Sequence, residues 1–364
     1  GTTMTPPTAP TSENCRAAAA EIEITPGKPT FLYGYPHVPR TSRGVHDPLY
    51  ASALCLGSGA RQAVFVACDL IWVPRPLARR ARERIVQRCG MHVEAVMVTA
   101  THTHSGPVTN RMLSNEADPV VPPPDADYLH RLEQAIVEAG CLAADPKRQQ
   151  PVELRAAEVD GSFLGGNRRD PDGPAIPGVP VWGAFDGEGQ AVACMAIGSM
   201  HPTVLHEDST LISGDFPGLA RQRVKARLGE HVPLVYHMGA SGDHSPRHVV
   251  QHNTLDEAAR LGHRLGDALV DGLAAAGPAT PQPIGFASRT LDLPRRDLPA
   301  GSEAEAGRDA AKRTLDTLRK QGGDRVTLRT AEVDWFGAEE TLTLARAAAE
   351  GRLADAAAQC LPAE

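Results

Sequence analysis

Apolar residues along the chain fall into two alternating patterns. Short runs rich in small and β-branched residues read as strands: Tyr50 to Leu56 and Ala63 to Val73 flank a Gly57-Ser-Gly59 turn. A further strand covers 94–100, and Ala191 to Ile197 and Val232 to Met238 supply two more. Helical spacing marks Leu77 to Arg88, closed by Gly90, and Asp127 to Ala144, stopped ahead of Pro146. It recurs from Phe216 to Leu228 and from Leu255 to Ala276. Two or three other strands fall between Val152 and Gly198, broken by a Gly/Arg/Asp/Pro-rich loop at 161–179. Downstream, Ile284 to Leu293 and Arg325 to Trp335 read as strands around a charged helix at 302–320, and Leu342 to Gln359 as an Ala-rich helix. Strands alternating with helices predict an α/β fold, its mixed, largely parallel sheet covered by helices. No repeat or linker is legible, so 15–364 reads as one α/β domain behind a Thr/Pro-rich, disordered segment at 1–14.

Composition narrows the partners. Apolar residues at 41% and charged residues at 22% are the balance of a globular chain in water. A net charge of −7 leaves no basic footprint for nucleic acid, and no apolar run reaches the roughly 18 residues of a membrane span. Seven scattered cysteines without a CxxC pair read as reduced, buried thiols. The first residues hold neither a basic nor an apolar signal region. Cytoplasm is therefore the expected location, or the periplasm or exterior if a signal has been removed.

Candidate chemistry gathers where three apolar runs end. The first runs into Thr101-His102-Thr-His104-Ser-Gly-Pro107, the second into His201-Pro-Thr203, the third into Gly242-Asp-His-Ser245-Pro246. Ligands of open α/β sheets bind beyond the carboxyl ends of strands, which predicts one shared site. On an extended backbone, His102 and His104 would face the same space, and imidazole suits Zn²⁺. A plain pair of strand-capping histidines is the competing reading. His201 is the natural third imidazole, or a loop-bonded histidine. His206 could face the same cavity but reads rather as a solvated loop residue, and Asp215 as a helix N-cap. Ser245 sits in a turn that can hold a hydroxyl toward substrate, with no GxSxG elbow around it. Asp69 or Asp243 could orient a ligand imidazole, or serve only as turn residues.

Taken together, Thr101-His-Thr-His-Ser-Gly-Pro107, His201-Pro-Thr203, Ser213-Gly-Asp-Phe-Pro-Gly218 and Gly242-Asp-His-Ser-Pro246 resemble the neutral (non-lysosomal) ceramidase family. Ile24-Thr-Pro-Gly27, Gly34-Tyr35, Gly44-Val-His-Asp-Pro-Leu-Tyr50 and Cys68-Asp-Leu70 follow in order, so the resemblance spans about residues 20–275 and points to a short bacterial relative. It implies a zinc-dependent hydrolase of linear amides with one Zn²⁺ per site. His102 and His201 would be zinc ligands. His104 would be an outer histidine contacting the carbonyl or tetrahedral intermediate, and Ser245 a nucleophile or substrate-orienting hydroxyl. Arg168, with Arg169 as the alternative, would face the product carboxylate.

One departure stands out. The family completes its zinc site with a glutamate and a tyrosine, and neither motif is found in this chain. The expectation is that these residues lie beyond Glu364 or on a second polypeptide. Aromatic residues make up only 4%, so a small-molecule or lipid-like N-acyl substrate other than ceramide is expected. Rival readings are an ester or lactone hydrolase on the same site, a non-catalytic binding or scaffold subunit, and a metallophosphoesterase. The last would favour several Asp or Asn ligands.

Overall fold

The computed structural model describes residues 15–280 and 283–360. Its strands and helices come in the order β1 (Cys15–Glu23), β2 (Tyr50–Ser58), β3 (Arg61–Cys68), α1 (Arg75–Cys89), β4 (Val96–Ala100), α2 (Ala126–Ala144), β5 (Glu153–Asp160), β6 (Gly178–Phe185), β7 (Ala191–Gly198), α3 (Asp215–Leu228), β8 (Leu234–Met238), α4 (Leu255–Ala275), α5 (Gly301–Gln321), α6 (Arg325–Ala349) and α7 (Leu353–Cys360), beside several two-residue strands. The segment 1–14 lies outside the described residues.

Most of β2 and β7 is buried, because each strand has both of its faces covered. One sheet runs β4-β3-β2-β1, the other β8-β7-β6-β5. Their facing sides meet through Leu54, Ala67, Ala184, Met195 and Val235. On the outer side of the first sheet, α1 and α2 pack through Leu77, Ile85, Leu132 and Ile136. On the outer side of the second, α3 and α4 pack through Phe216, Leu219, Leu261 and Leu265. The result is four layers: helices, sheet, sheet, helices.

The α/β class with mixed sheets is as the alternation predicts, but parallel pairing is rarer than expected. Among the long strands it is confined to β3–β4 and β7–β8; the other pairs are antiparallel. Parallel neighbours need a crossover, and only α1 and α3 provide one inside a sheet. The order β-β-β-α-β-α also occurs twice, over 15–144 and 153–275. This repeat lies in topology, where matching residue patterns cannot reveal it.

Helix ends follow local chemistry. Asp125 accepts from the amides of Asp127 and Tyr128 at the start of α2, and Thr254 caps α4. Gly90 closes α1 in the left-handed region at φ 65°.

The C-terminal third differs from expectation. Arg325 to Trp335 is the first half of α6, and Ile284 to Leu293 forms no regular element. The alternation Val326, Leu328, Thr330 looks strand-like, yet Asp324 accepts from the amides of Val326 and Thr327 and starts a helix. The Ala-rich helix is also split: α6 ends at Ala349, and Gly351, at φ 70°, turns the chain before α7. No helix among the described residues is long and apolar enough to cross a membrane.

One buried ion pair ties α3, in the second sheet's helix layer, to the end of β3 in the first sheet. Arg221 on α3 donates to Asp69 Oδ2 at 2.7 Å, both nearly inaccessible, and the same oxygen accepts from the Tyr50 amide. Asp69 is therefore structural and does not orient a ligand imidazole. Arg221→Met should cost about 3–5 kcal/mol in urea unfolding by stranding the carboxylate, and adding Asp69→Asn should restore much of it. Additive losses in the double variant would contradict this coupling.

Candidate metal centre and its cavity

Beyond β4 the backbone stays hydrogen-bonded to the end of β3. The Thr101 amide donates to the Cys68 carbonyl and the His102 amide to the Leu70 carbonyl, each at 2.8 Å. His102 then departs from the extended path: its φ is 71°, a left-handed conformation rare outside glycine. The expected shared face of His102 and His104 is thus produced by a strained turn. Their ring centroids lie 5.0 Å apart and nearly perpendicular.

His201 arrives from the end of β7 in the other sheet. Its Nε2 stands 3.2 Å from His102 Nε2, although 99 residues separate them. Backbone carbonyls fix both rings. His102 Nδ1 donates to the Ile71 carbonyl at 2.7 Å, and His201 Nδ1 to the carbonyls of Ser241 at 2.7 Å and His244 at 3.0 Å. Since a carbonyl only accepts, each Nδ1 carries the proton and each Nε2 presents a lone pair. Two lone pairs facing each other have no hydrogen bond to make. Two imidazole nitrogens on one tetrahedral zinc stand about 3.3 Å apart, so this spacing fits a shared metal ion.

His104 joins them. Its Nδ1 donates to the Gly34 carbonyl at 3.0 Å, and its Nε2 is buried without a partner. One nitrogen from each of the three histidines lies within 4.8 Å of the others, and no carboxylate belongs to the group among the described residues. Burial holds all three below the ordinary imidazole range, His104 furthest, while His201 is pushed to about 4. They are neutral near pH 7, as metal ligation requires.

A cavity of about 150 Å³ opens beside this group. Arg168 and Ser245 line it together with His104 and His201. A short ladder places them: Gly166–Asn167 pairs with His244–Ser245, and the Arg168 amide donates to the Asp243 carbonyl at 2.7 Å. Arg169 is excluded from the cavity, because its guanidinium pairs with Asp334 at 2.5 Å on an exposed surface. Ser245 Oγ accepts from the Arg247 amide at 3.3 Å, and no histidine or carboxylate bonds to it among the described residues. Asp243 pairs with His244, so it does not orient a ligand imidazole either.

With this geometry in hand, comparison with solved structures is informative. A ceramidase complexed with C2 matches with a TM-score of 0.64 at 20% identity, over 72% of this chain and 44% of that one. The neutral ceramidase from Pseudomonas aeruginosa matches with a TM-score of 0.63 at 20% identity, over 72% of this chain and 45% of that one. The fold is ceramidase-like. This chain spans less than half the length of either structure. No protein-family model matches it, and no curated protein sequence does.

Two expectations about neighbouring residues change. His206 lines the cavity and is not a solvated loop residue: it packs at a tilt against Tyr35 with centroids 4.4 Å apart, and is pushed by burial and nearby arginines to about 3. Asp215 is not the N-cap of α3, whose cap is Gly214. Fully buried at φ 55°, Asp215 accepts from the Leu205 amide at 2.9 Å and so ties the His201 loop to the helix start. Burial raises its carboxyl to about 7.

Other residues of the site were not anticipated. Arg40 donates to the carbonyls of His104 at 2.5 Å and of His206 at 3.1 Å, clamping both loops. Arg247, Arg325, Arg329 and Thr203 line the cavity. The i,i+4 spacing of Arg325 and Arg329 puts both on one face once that stretch is read as a helix. Gly34 has no room for a side chain: at φ 134°, a Cβ would stand 2.5 Å from His104 Nδ1. Gly34→Ala should therefore lower stability by about 1–3 kcal/mol in urea unfolding. An unchanged midpoint would show that the His104 ring has space to move.

Proposed function

We propose that this protein is a zinc-dependent hydrolase of a linear N-acyl amide, with His102 and His201 holding the ion. The opposed Nε2 lone pairs, 3.2 Å apart and locked by carbonyl bonds on the far side of each ring, carry this reading. Ceramidase neighbours of the same fold agree with it. Zinc bound there would supply Lewis acidity, polarising an amide carbonyl and acidifying water.

The chain's own groups then have distinct tasks. His104, with its Nδ1 proton committed to Gly34, offers Nε2 as a proton acceptor toward the reacting water. Once protonated there, it faces the oxyanion as an imidazolium and can pass the proton to the departing amine. Arg168 extends from beside Ser245 with no hydrogen bond or ion pair on its guanidinium among the described residues, free to meet the forming carboxylate. Among the described residues no activating base bonds to Ser245, which favours orienting the substrate over nucleophilic attack.

Esters would suit the same groups, since an alkoxide leaves more readily than an amine. Matched N-acyl amines and esters, offered to the zinc-loaded protein, distinguish the two chemistries. His102→Ala and His201→Ala should each reduce bound zinc to below about a tenth of wild type by elemental analysis. His104→Ala should keep the zinc and lose roughly 10²–10³-fold in turnover. Wild-type zinc content in His102→Ala would refute the ligand assignment.

A further inference from the structure

We propose that the substrate carries an anionic group, a carboxylate or a phosphate, at its non-reacting end, seated on Arg247, Arg325 and Arg329. The inference rests on the hydrolase reading for the identity of the reacting bond, and on the cavity's own lining for the charge.

Four arginines, counting Arg168, surround the cavity, and none of its lining residues is acidic. Arg247 is 8% exposed, and among the described residues its guanidinium donates only to neutral groups, the Arg168 carbonyl at 3.0 Å and Thr330 Oγ1 at 3.2 Å. Arg325 also donates to carbonyls, those of Arg247 and Val250. Arg329 alone has a carboxylate partner, Glu332 at 3.0 Å. That carboxylate is shared with Arg319 and lines an adjoining cavity with Glu207 and Asp208. Burial and the surrounding arginines push Arg247 down to about 10. Arg325 and Arg329 also line that adjoining acidic cavity, but no acid lines the one they share with Arg168 and Arg247, and like charges gathered in this half-buried space are costly unless an anion enters. The planar guanidinium matches two anionic oxygens at once.

Size limits the ligand further. About 150 Å³ is close to the volume that takes up benzene, so the enclosed part is a short group. The subsite is also firmly held. Arg325 and Arg329 sit on α6, which is docked over the site by His37, through a 2.5 Å contact with Glu339 and stacking on Trp335 at 4.9 Å. Arg169 with Asp334 adds a second tie.

Three probes of similar length test this on the zinc-loaded protein: N-acetylglycine, N-acetyl-O-phosphoethanolamine and neutral N-propylacetamide. Turnover of each, and calorimetric binding of each, are compared in wild type, Arg329→Gln and Arg329→Lys. The expected result is at least a tenfold preference for one charged probe over the neutral one, in both binding and kcat/KM. Arg329→Gln should weaken binding of that probe by about 10–100-fold, and Arg329→Lys should retain part of it. Which charged probe wins identifies carboxylate or phosphate. Equal handling of all three, with binding unaffected by Arg329→Gln, would overturn the inference and leave the hydrolase reading standing. Charge-selective binding lost in Arg329→Gln, without hydrolysis of any probe or its ester, would support the subsite and refute the hydrolase reading.

Discussion

Two imidazoles from different sheets are turned toward each other by the carbonyl groups behind them. His102 is anchored to Ile71 at the end of the β3 turn, and His201 to Ser241 and His244 beyond β8. Each anchor lies on the segment that follows the strand neighbouring the histidine's own, so both rings are braced beyond the ends of a parallel pair. The crossover helices α1 and α3 create those pairs, and the face-to-face sheets bring the two strand ends together. Removing either parallel pair would leave a histidine without its brace. A ligand mounted on strand ends also loses little conformational freedom when it binds a metal.

Backbone strain collects around the same place. Among the described residues, only His37, His102 and Asp215 are non-glycine residues at positive φ. His102 presents a ring to the histidine cluster, Asp215 holds the following loop through the Leu205 amide, and His37 fastens α6. Each such conformation costs about 1–3 kcal/mol and persists only where the surroundings enforce it. Here a 2.7 Å bond to Ile71, a fully buried carboxylate and a stacked tryptophan enforce it in turn. The arginine clamp from Arg40 adds rigidity from the opposite wall by holding the His104 and His206 carbonyls.

Helix α6 changes what the strand-end site can accept. The histidines, Arg168 and Ser245 come from the two sheets and their loops, whereas Arg325, Arg329 and Val333 close the cavity from the C-terminal third. A cluster of three imidazoles is thereby joined to a wall of arginines, and the two lie on separate parts of the chain.

Local pattern was enough for the α/β class, the positions of α1 to α5, and the three chemistry-bearing strand ends, because periodicity and turn residues act over short range. Asp127 to Ala144 and Leu255 to Ala276 fall within a residue of the helices that form. His102, His104, His201 and Ser245 stand in short motifs and Arg168 was named from the family resemblance; the structure gathers all five at one place. Sheet pairing was not legible, since whether strands run parallel depends on which connection crosses over. Arg325 to Trp335 was misread because its alternation matches both periods, and the Asp324 cap with packing against α5 decided between them. His206 and Asp215 were misplaced because burial is a property of the assembled layers. Above all, the 3.2 Å meeting of two histidines 99 residues apart exists only after both sheets have stacked: residue type supplied the imidazoles, and tertiary packing made them converge.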